Sequence, residues 1–159
     1  RRVLFRSMIN NATYRVIPFP AESPIHGGTP ATRTNPWTAA PGNATSLNWH
    51  NDGNLDYNYT RGNNVWAQED RNGNNGTGLP ANSTSAVDPL GFDFTPNFTV
   101  TPTQTSPVQN QQFNTTNLFY WNNIIHDIMY QYGFDEVSGN FQASNQGRGG
   151  QGKIGRAHV

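Results

Sequence analysis

The chain contains no cysteine, few charged residues and no long apolar run, and each absence narrows what it can do. Without cysteine it can form no disulfide, use no thiol in catalysis and offer no thiolate to a metal. Charged residues are 13% of the 159 and balance to a net charge of +0, which excludes a strong electrostatic footprint for nucleic acid or an anionic membrane. No run of about 18 apolar residues occurs, so we expect no membrane span.

The polarity of the chain comes from uncharged side chains. It is rich in Asn, Thr, Gln and Ser, and it contains 16 Gly and 11 Pro. Disorder usually combines low hydrophobicity with high net charge and few aromatic residues, whereas aromatic residues here reach 12%. The composition therefore favours a loop-rich, β-leaning globular segment. No secretory signal peptide is recognisable, so a secreted origin would require further N-terminal residues.

Both ends of the chain look foreign to the rest. Residues 1–7 and 154–159 can be encoded by the two strands of one DNA oligomer, which resembles a sequencing-library adapter. We therefore expect two adapter-derived scars around a native segment, 8–153; the alternative at the first end is a genuine basic N-terminus. Without the four arginines of these ends, six basic residues remain against ten acidic ones, so the native segment is mildly acidic.

Several short strands are predicted from alternation and composition. Residues 12–19 alternate and are rich in β-formers, which predicts a strand. Residues 55–59 and 65–66 predict a short strand pair, and evenly spaced aromatic residues predict a further strand within 91–100. Residues 101–114 have few apolar anchors and are expected to form a surface loop.

A helix is predicted over 115–132 because apolar residues recur there at steps of three and four. Asn114 or Thr115 is expected to cap its N-terminus through a side-chain oxygen. Gly133 occupies the position of a left-handed C-terminal residue, and Phe134 after it can pack back on Met129 in a Schellman ending.

Both faces of this helix carry large side chains. The apolar stripe consists of Leu118, Trp121, Ile125, Ile128 and Tyr132. The opposite face carries Phe119, His126 and Tyr130 beside Asn122 and Asn123. A helix of this kind is expected to be covered on both sides, with some covering elements outside this segment.

The histidines of the native segment, His26, His50 and His126, do not form a recognisable zinc motif. None lies in a His-Glu-x-x-His pattern, and no second histidine falls at helical spacing from His126, so a complete zinc site cannot be drawn from this chain. His126 beside Asp127 suggests a catalytic pair, but neighbours on a helix point about 100° apart. We expect His126 to be a hydrogen-bonded structural histidine on a buried face.

Two turn-rich stretches alternate oxygen-bearing side chains and raise the possibility of calcium binding. They are Asp52, Asn54 and Asp56, and Asp70, Asn72 and Asn74. Hard cations prefer such oxygen ligands. Neither stretch has the glycine and glutamate of an EF-hand, and plain turns remain the alternative at both.

The stretch NLFYWNNIIHDIMYQYGFDEVSGNFQ, residues 117–142, closely resembles the fungalysin family of secreted zinc metalloendopeptidases, and so do Asn145 and the Gly-rich residues 147–150 after it. Residues 12–19, ATYRVIPF, look like the opening of the mature catalytic domain after its propeptide. Weaker landmarks are Asn-Pro-Trp at 35–37, Trp-His-Asn-Asp-Gly at 49–53 and Thr-Arg-Gly-Asn-Asn-Val at 60–65.

The resemblance implies an α+β fold: the β-rich, loop-rich N-terminal part of a thermolysin-like catalytic domain, with one central helix near 115–132. Family members place their zinc ligands and catalytic glutamate on a His-Glu-x-x-His helix, with a further glutamate ligand downstream. All of these follow the Gly-rich run, so no catalytic, cofactor-binding or metal residue can be assigned to a position of this chain.

The intact protein would then be a secreted, extracellular enzyme that hydrolyses peptide bonds in proteins, with a propeptide in its precursor, and the fragment alone would be inactive. A second hypothesis is a secreted, non-catalytic β-rich module that binds glycans or mediates adhesion. A third is a peptidase scaffold that has lost its active site. The predicted helix separates the first two hypotheses, because a plain β-sandwich has no need of it.

Overall fold

The computed structural model describes residues 8–40, 42–100 and 108–159. Within these ranges the strands and the α-helix are β1 (Ala12–Val16), β2 (Ala31–Thr34), β3 (Val65–Gln68), β4 (Leu90–Phe92), α1 (Val108–Gln131) and β5 (Gly155–His158). Three short 3-10 helices cover Pro24–His26, Pro36–Ala39 and Asn43–Thr45. The predicted α+β, β-rich class is confirmed.

The first sheet has the order β2-β1-β4. Strand β1 runs antiparallel to β2, with Val16 opposite Ala31, and parallel to β4, with Tyr14 opposite Phe92. Buried residues alternate along β1, as expected for a strand with one face on the core. The predicted strand over 12–19 is confirmed for its first five residues.

The second sheet pairs β3 with β5 in parallel, with Val65 opposite Gly155. The predicted pairing of 55–59 with 65–66 is wrong, because Tyr59 instead forms an isolated bridge with Asn82. Local pairing instead joins residues 60–62 to 65–67, through the Arg61–Trp66 bridge and through hydrogen bonds from Gly62 to Val65 and from Ala67 to Thr60. The strand predicted within 91–100 is limited to β4, which begins one residue earlier and ends at Phe92.

Aromatic side chains fill the space between the first sheet and α1. Tyr14 stacks on Phe92 with ring centroids 5.3 Å apart, and Trp49 meets Phe119 of α1 edge-on at 6.2 Å. Trp37 packs edge-on against Trp49 at 5.9 Å. Such a side chain buries on the order of 200 Å², or about 5 kcal/mol of gross hydrophobic free energy. The contacts fix α1 across the sheet.

Helix α1 ends as predicted but begins earlier. The Phe134 amide donates to the Met129 carbonyl and the Gly133 amide to the Tyr130 carbonyl, which is the Schellman pattern, and Gly133 has a φ of +92°. The predicted start is wrong: α1 begins at Val108, so Asn114 and Thr115 both lie inside the helix and neither is its N-terminal cap. Of the predicted loop 101–114, residues 101–107 lie outside the described residues and the rest is helical.

The face of α1 that enters the core is mainly the mixed polar and aromatic one. Phe119, Asn123 and His126 are buried, whereas Ile125 and Tyr132 of the apolar stripe are exposed. We expect α1 to be covered on both faces, but the described residues cover only one of them. Among the described residues, no helix is both long and apolar enough to cross a membrane.

Candidate functional site

A groove lies beside the C-terminal half of α1, with a volume of about 220 Å³. It is lined by α1, by the start of β3 and the residue before it, by the segment after α1 and by the first two residues of β5, among them Asn64, Ile125, His126, Met129, Asn140 and Phe141. A concave, largely apolar surface with a few polar groups is the usual form of a binding site.

His126 and Asp127 form a buried hydrogen-bonded pair at this groove. His126 Nδ1 lies 3.0 Å from Asp127 Oδ1, and Trp49 Nε1 donates to Asp127 Oδ2 at 2.9 Å. The expectation that helix neighbours do not face each other is therefore wrong here, because the Trp49 donor holds the carboxyl group beside the imidazole. Burial raises the pKa of the Asp127 carboxyl, and the bonds from His126 and Trp49 oppose that rise.

The tautomer of His126 follows from these contacts. A carboxylate only accepts hydrogen bonds, so we assign the proton to Nδ1. Nε2 is then an acceptor, and its contact is Asn140 Nδ2 at 3.5 Å, the outer limit of a hydrogen bond. A carboxylate behind an imidazole fixes the direction of the free lone pair.

Asn64 supplies a second acceptor at the groove. Its Nδ2 donates to Asn123 Oδ1 at 3.2 Å, which ties it to α1. The side chain is 3% exposed, and among the described residues its Oδ1 has no hydrogen-bond partner. Neither Asn64 nor Asn140 was predicted, because a chain this rich in asparagine gives no signal that distinguishes one of them.

An ion pair between the buried Glu136 and the partly exposed Arg148 holds the Gly-rich segment against the end of α1. Arg148 Nε donates to Glu136 Oε1 at 2.6 Å, and Tyr130 Oη donates to Glu136 Oε2 at 2.8 Å. Burial raises the pKa of Glu136, but the bonds from Arg148 and Tyr130 outweigh it, and the pKa is lowered. Gly150 packs closely against the backbone of Glu136, because an added Cβ would lie 1.7 Å from the Glu136 carbonyl oxygen.

In the two acidic stretches, aspartate side chains accept hydrogen bonds from nearby backbone amides. Asp52 Oδ1 accepts from the amides of Asn54 and Leu55 at 2.9 and 2.8 Å. Asp70 accepts from the amides of Asn74 and Asn75 at 3.1 and 3.0 Å. These are turn hydrogen bonds. Within residues 8–40, 42–100 and 108–159, no group of three or more His, Cys, Asp or Glu could hold a metal ion.

The three predicted histidines lie apart. His26 is exposed on a 3-10 helix, and His126 lies at the groove. His50 is fully buried in the core, where its ring stacks on Phe92 at 5.2 Å. Its Nε2 lies 2.6 Å from Tyr14 Oη. The geometry therefore joins none of these histidines to another as a ligand set.

The described residues thus define an α+β scaffold with a groove beside its long helix. A family model described as Fungalysin metallopeptidase (M36) matches residues 13–154. The chain belongs to this family, and the resemblance noted from the sequence is confirmed.

Curated relatives agree with this assignment. The chain is 37% identical over 145 residues to extracellular metalloproteinase 2 of Trichophyton tonsurans and to that of Arthroderma benhamiae. It is 34% identical over 150 residues to extracellular metalloproteinase MEP of Pyricularia oryzae. Each match covers 91% of this chain and 21% of the relative, so the chain spans about a fifth of the length of these relatives.

Proposed function

We propose that the chain is the N-terminal part of the catalytic domain of a secreted zinc metalloendopeptidase that hydrolyses peptide bonds in proteins. The observation that carries the proposal is the family match over residues 13–154, combined with coverage of 21% of the extracellular metalloproteinases it resembles. The fold agrees with it, since α1 has 24 residues and packs on a sheet. No specific observation favours the glycan-binding or adhesive alternative.

Among the described residues, no three of His, Cys, Asp and Glu lie together in a way that could hold a zinc ion. His26, His50 and His126 lie in three different environments, and the acidic side chains Asp52 and Asp70 accept hydrogen bonds from their own loops. We therefore derive no zinc-dependent step from this chain. The zinc ligands and the glutamate base, with the polarised water that such a centre uses, belong in this proposal to a His-Glu-x-x-His helix downstream.

The contribution of this chain is to position that downstream part. The aromatic core fixes α1 on the first sheet, and the Glu136–Arg148 pair holds the segment after α1 in place. Protein or peptide substrates, a propeptide in the precursor and secretion remain part of the proposal for the intact protein.

The extent of the native segment is proposed as 8–153. Residues 1–7 lie outside the described residues, and β5 falls within 154–159. Pairing of β5 with β3 uses backbone groups, which residues of any origin except proline can supply. Reading the source DNA through both ends tests this, because native flanks would replace the adapter-encoded residues, whereas an unchanged sequence would contradict the proposal.

The test of function compares the chain with the completed protein in a casein assay. The chain alone should cleave no casein and bind no stoichiometric zinc at micromolar concentration, because it lacks two histidines one helical turn apart with a carboxylate. The completed protein should cleave casein and lose activity with a chelator. Zinc-dependent cleavage by the pure chain, abolished by His126→Gln, would overturn the proposal.

A further inference from the structure

The chain contains seven copies of a motif in which threonine stands two positions after asparagine. They begin at Asn11, Asn43, Asn58, Asn75, Asn82, Asn97 and Asn114. With a middle residue other than proline, this triplet is the acceptor motif for N-linked glycosylation in secreted proteins. Because the motif is defined by both the amide and the hydroxyl group, the transferring enzyme must reach the two side chains together.

The segment after β4 brings these two groups together at Asn97. Thr99 Oγ1 donates to Asn97 Oδ1 at 2.6 Å, and the Thr99 amide donates to the same oxygen at 3.0 Å. Both residues are exposed, and among the described residues Asn97 Nδ2 forms no hydrogen bond. The nitrogen that would receive a sugar is therefore free, and it lies on the same side of the turn as the hydroxyl group.

The backbone of Asn97 is held by the first turn of α1. Asn110 Oδ1 accepts from the Asn97 amide at 2.7 Å, and Asn110 Nδ2 donates to the Asn97 carbonyl at 2.9 Å. These contacts use only the backbone of Asn97, so a sugar on its side chain breaks neither of them. The bonds from Thr99 lie within three residues, and such local bonds can form before the rest of the chain folds.

The other six motifs lack this arrangement. The hydroxyl groups of Thr13 and Thr84 bond to residues outside their own motifs. Asn75 and Thr77 are both exposed, but within residues 42–100 no hydrogen bond joins these two side chains. In the remaining three motifs the threonine is buried, at Thr45, Thr60 and Thr116.

We propose that Asn97 is the principal acceptor of an N-linked glycan when the chain passes through a eukaryotic secretory pathway. Nδ2 forms a bond to the anomeric carbon of the first sugar of a lipid-linked oligosaccharide and loses one proton. The bond from that carbon to the lipid pyrophosphate breaks, and the pyrophosphate leaves with the electron pair. The glycan places a bulky, solubilising group beside Phe98, which is 55% exposed. The inference rests on the secretion included in the proposed function.

Cell-free translation with endoplasmic-reticulum microsomes tests the proposal on the 159-residue chain placed behind a cleavable signal peptide. The amidase that removes N-linked glycans converts the modified asparagine to aspartate. Digestion in water enriched in heavy oxygen therefore labels each occupied site for peptide mass spectrometry. Asn97→Gln removes the acceptor, and Asn75→Gln is the matched control at another exposed motif. Thr99→Ser keeps a hydroxyl group, whereas Thr99→Val removes it.

Asn97 should have the highest occupancy of the seven asparagines. Asn97→Gln should remove this largest signal, and Asn75→Gln should leave it unchanged. Thr99→Ser should retain the label at Asn97, and Thr99→Val should abolish it. An unlabelled Asn97, or a higher occupancy at any of the other six asparagines, would overturn the proposal. The transfer is measured as the chain enters the microsomes, so the comparison does not require the variants to fold.

The same labelling separates this inference from the proposed peptidase activity. A completed protein that is labelled at Asn97 but never cleaves casein with zinc would refute the activity and leave the acceptor site intact. Zinc-dependent cleavage by a completed protein that stays unlabelled at Asn97 in the microsomes would refute the acceptor site alone.

Discussion

Acidification from pH 7 to pH 5 should destabilise the chain through His50. This side chain is fully buried, with Nδ1 3.2 Å from the Tyr59 carbonyl oxygen and Nε2 2.6 Å from Tyr14 Oη. A carbonyl oxygen only accepts, so Nδ1 carries the proton and Nε2 accepts from Tyr14. A second proton would add a charge to the core and remove that acceptor.

The magnitude follows from the pKa of His50. Burial lowers it from 6.5 to about 3, against smaller opposing contributions from backbone hydrogen bonds. Between these values the unfolded chain binds a proton that the folded chain does not, so stability falls as the pH falls below 6.5. The loss is about 1.4 kcal/mol for each pH unit, or about 2 kcal/mol at pH 5.

Urea unfolding at pH 7 and pH 5 measures this effect. His50→Phe keeps a ring in the stack but cannot titrate, so its stability should change between the two pH values by about 2 kcal/mol less than that of the parent chain. Ile25→Gln, at an exposed residue that cannot titrate, is the matched control and should retain the parental pH dependence. The raised pKa of Asp127 acts with the opposite sign, but it is common to all three chains and cancels in the comparison.

An NMR titration provides a second measurement that does not depend on the folding of the His50 variant. The ring signal of His50 in the folded parent should show no midpoint between pH 5 and pH 8. A midpoint near 6.5 would refute the assignment of a neutral, buried His50.

Three further outcomes are expected. Gly150→Ala should destabilise the chain far more than Gly147→Ala in urea unfolding, because both have positive φ but only at Gly150 does the added Cβ meet backbone, 1.7 Å from the Glu136 carbonyl oxygen; equal losses would contradict this. Arg148→Met should cost about 3 kcal/mol by leaving Glu136 buried without its cation, and a loss below 1 kcal/mol would count against a structural ion pair. The exposed groove should bind a dye specific for apolar surface and give a broad melt, whereas a sharp melt above about 60 °C would indicate a complete domain.

Local signals in the sequence predicted the end of α1 but not its start. Gly133 and Phe134 encode the Schellman ending within a few residues. The first turns, from Val108 to Asn114, are rich in Gln and Asn and show no apolar period. Glutamine is a good helix former, and Phe113, which meets Phe98 edge-on at 6.0 Å, anchors this part of the helix to its surroundings.

The buried face of α1 could not be selected by hydrophobicity. Asn123, His126 and Asp127 are buried because their polar atoms meet partners, such as Asn64 and Trp49, that are distant in the sequence. Such pairing satisfies polar groups in the interior. Because these residues are polar, hydrophobic periodicity predicts instead that the stripe containing Ile125 faces the core.

The pairing of strands that are distant in the sequence could likewise not be predicted. The strand that begins at Val65 is predicted to pair with residues 55–59, whereas its ladder partner is β5, about 90 residues later and within the end that we propose to be adapter-derived. The groove likewise combines four separate segments of the chain. Its histidine could be identified in advance, but the unpaired Asn64 acceptor beside it could not.

The central claim is that this chain is one part of a zinc metalloendopeptidase whose catalytic residues lie downstream. Sequencing the source DNA beyond Lys153 tests it most directly. We expect a His-Glu-x-x-His helix within about 100 residues, a span that completes a domain of ordinary size. A stop codon soon after Lys153, or a continuation into β-repeats without that motif, would contradict the claim.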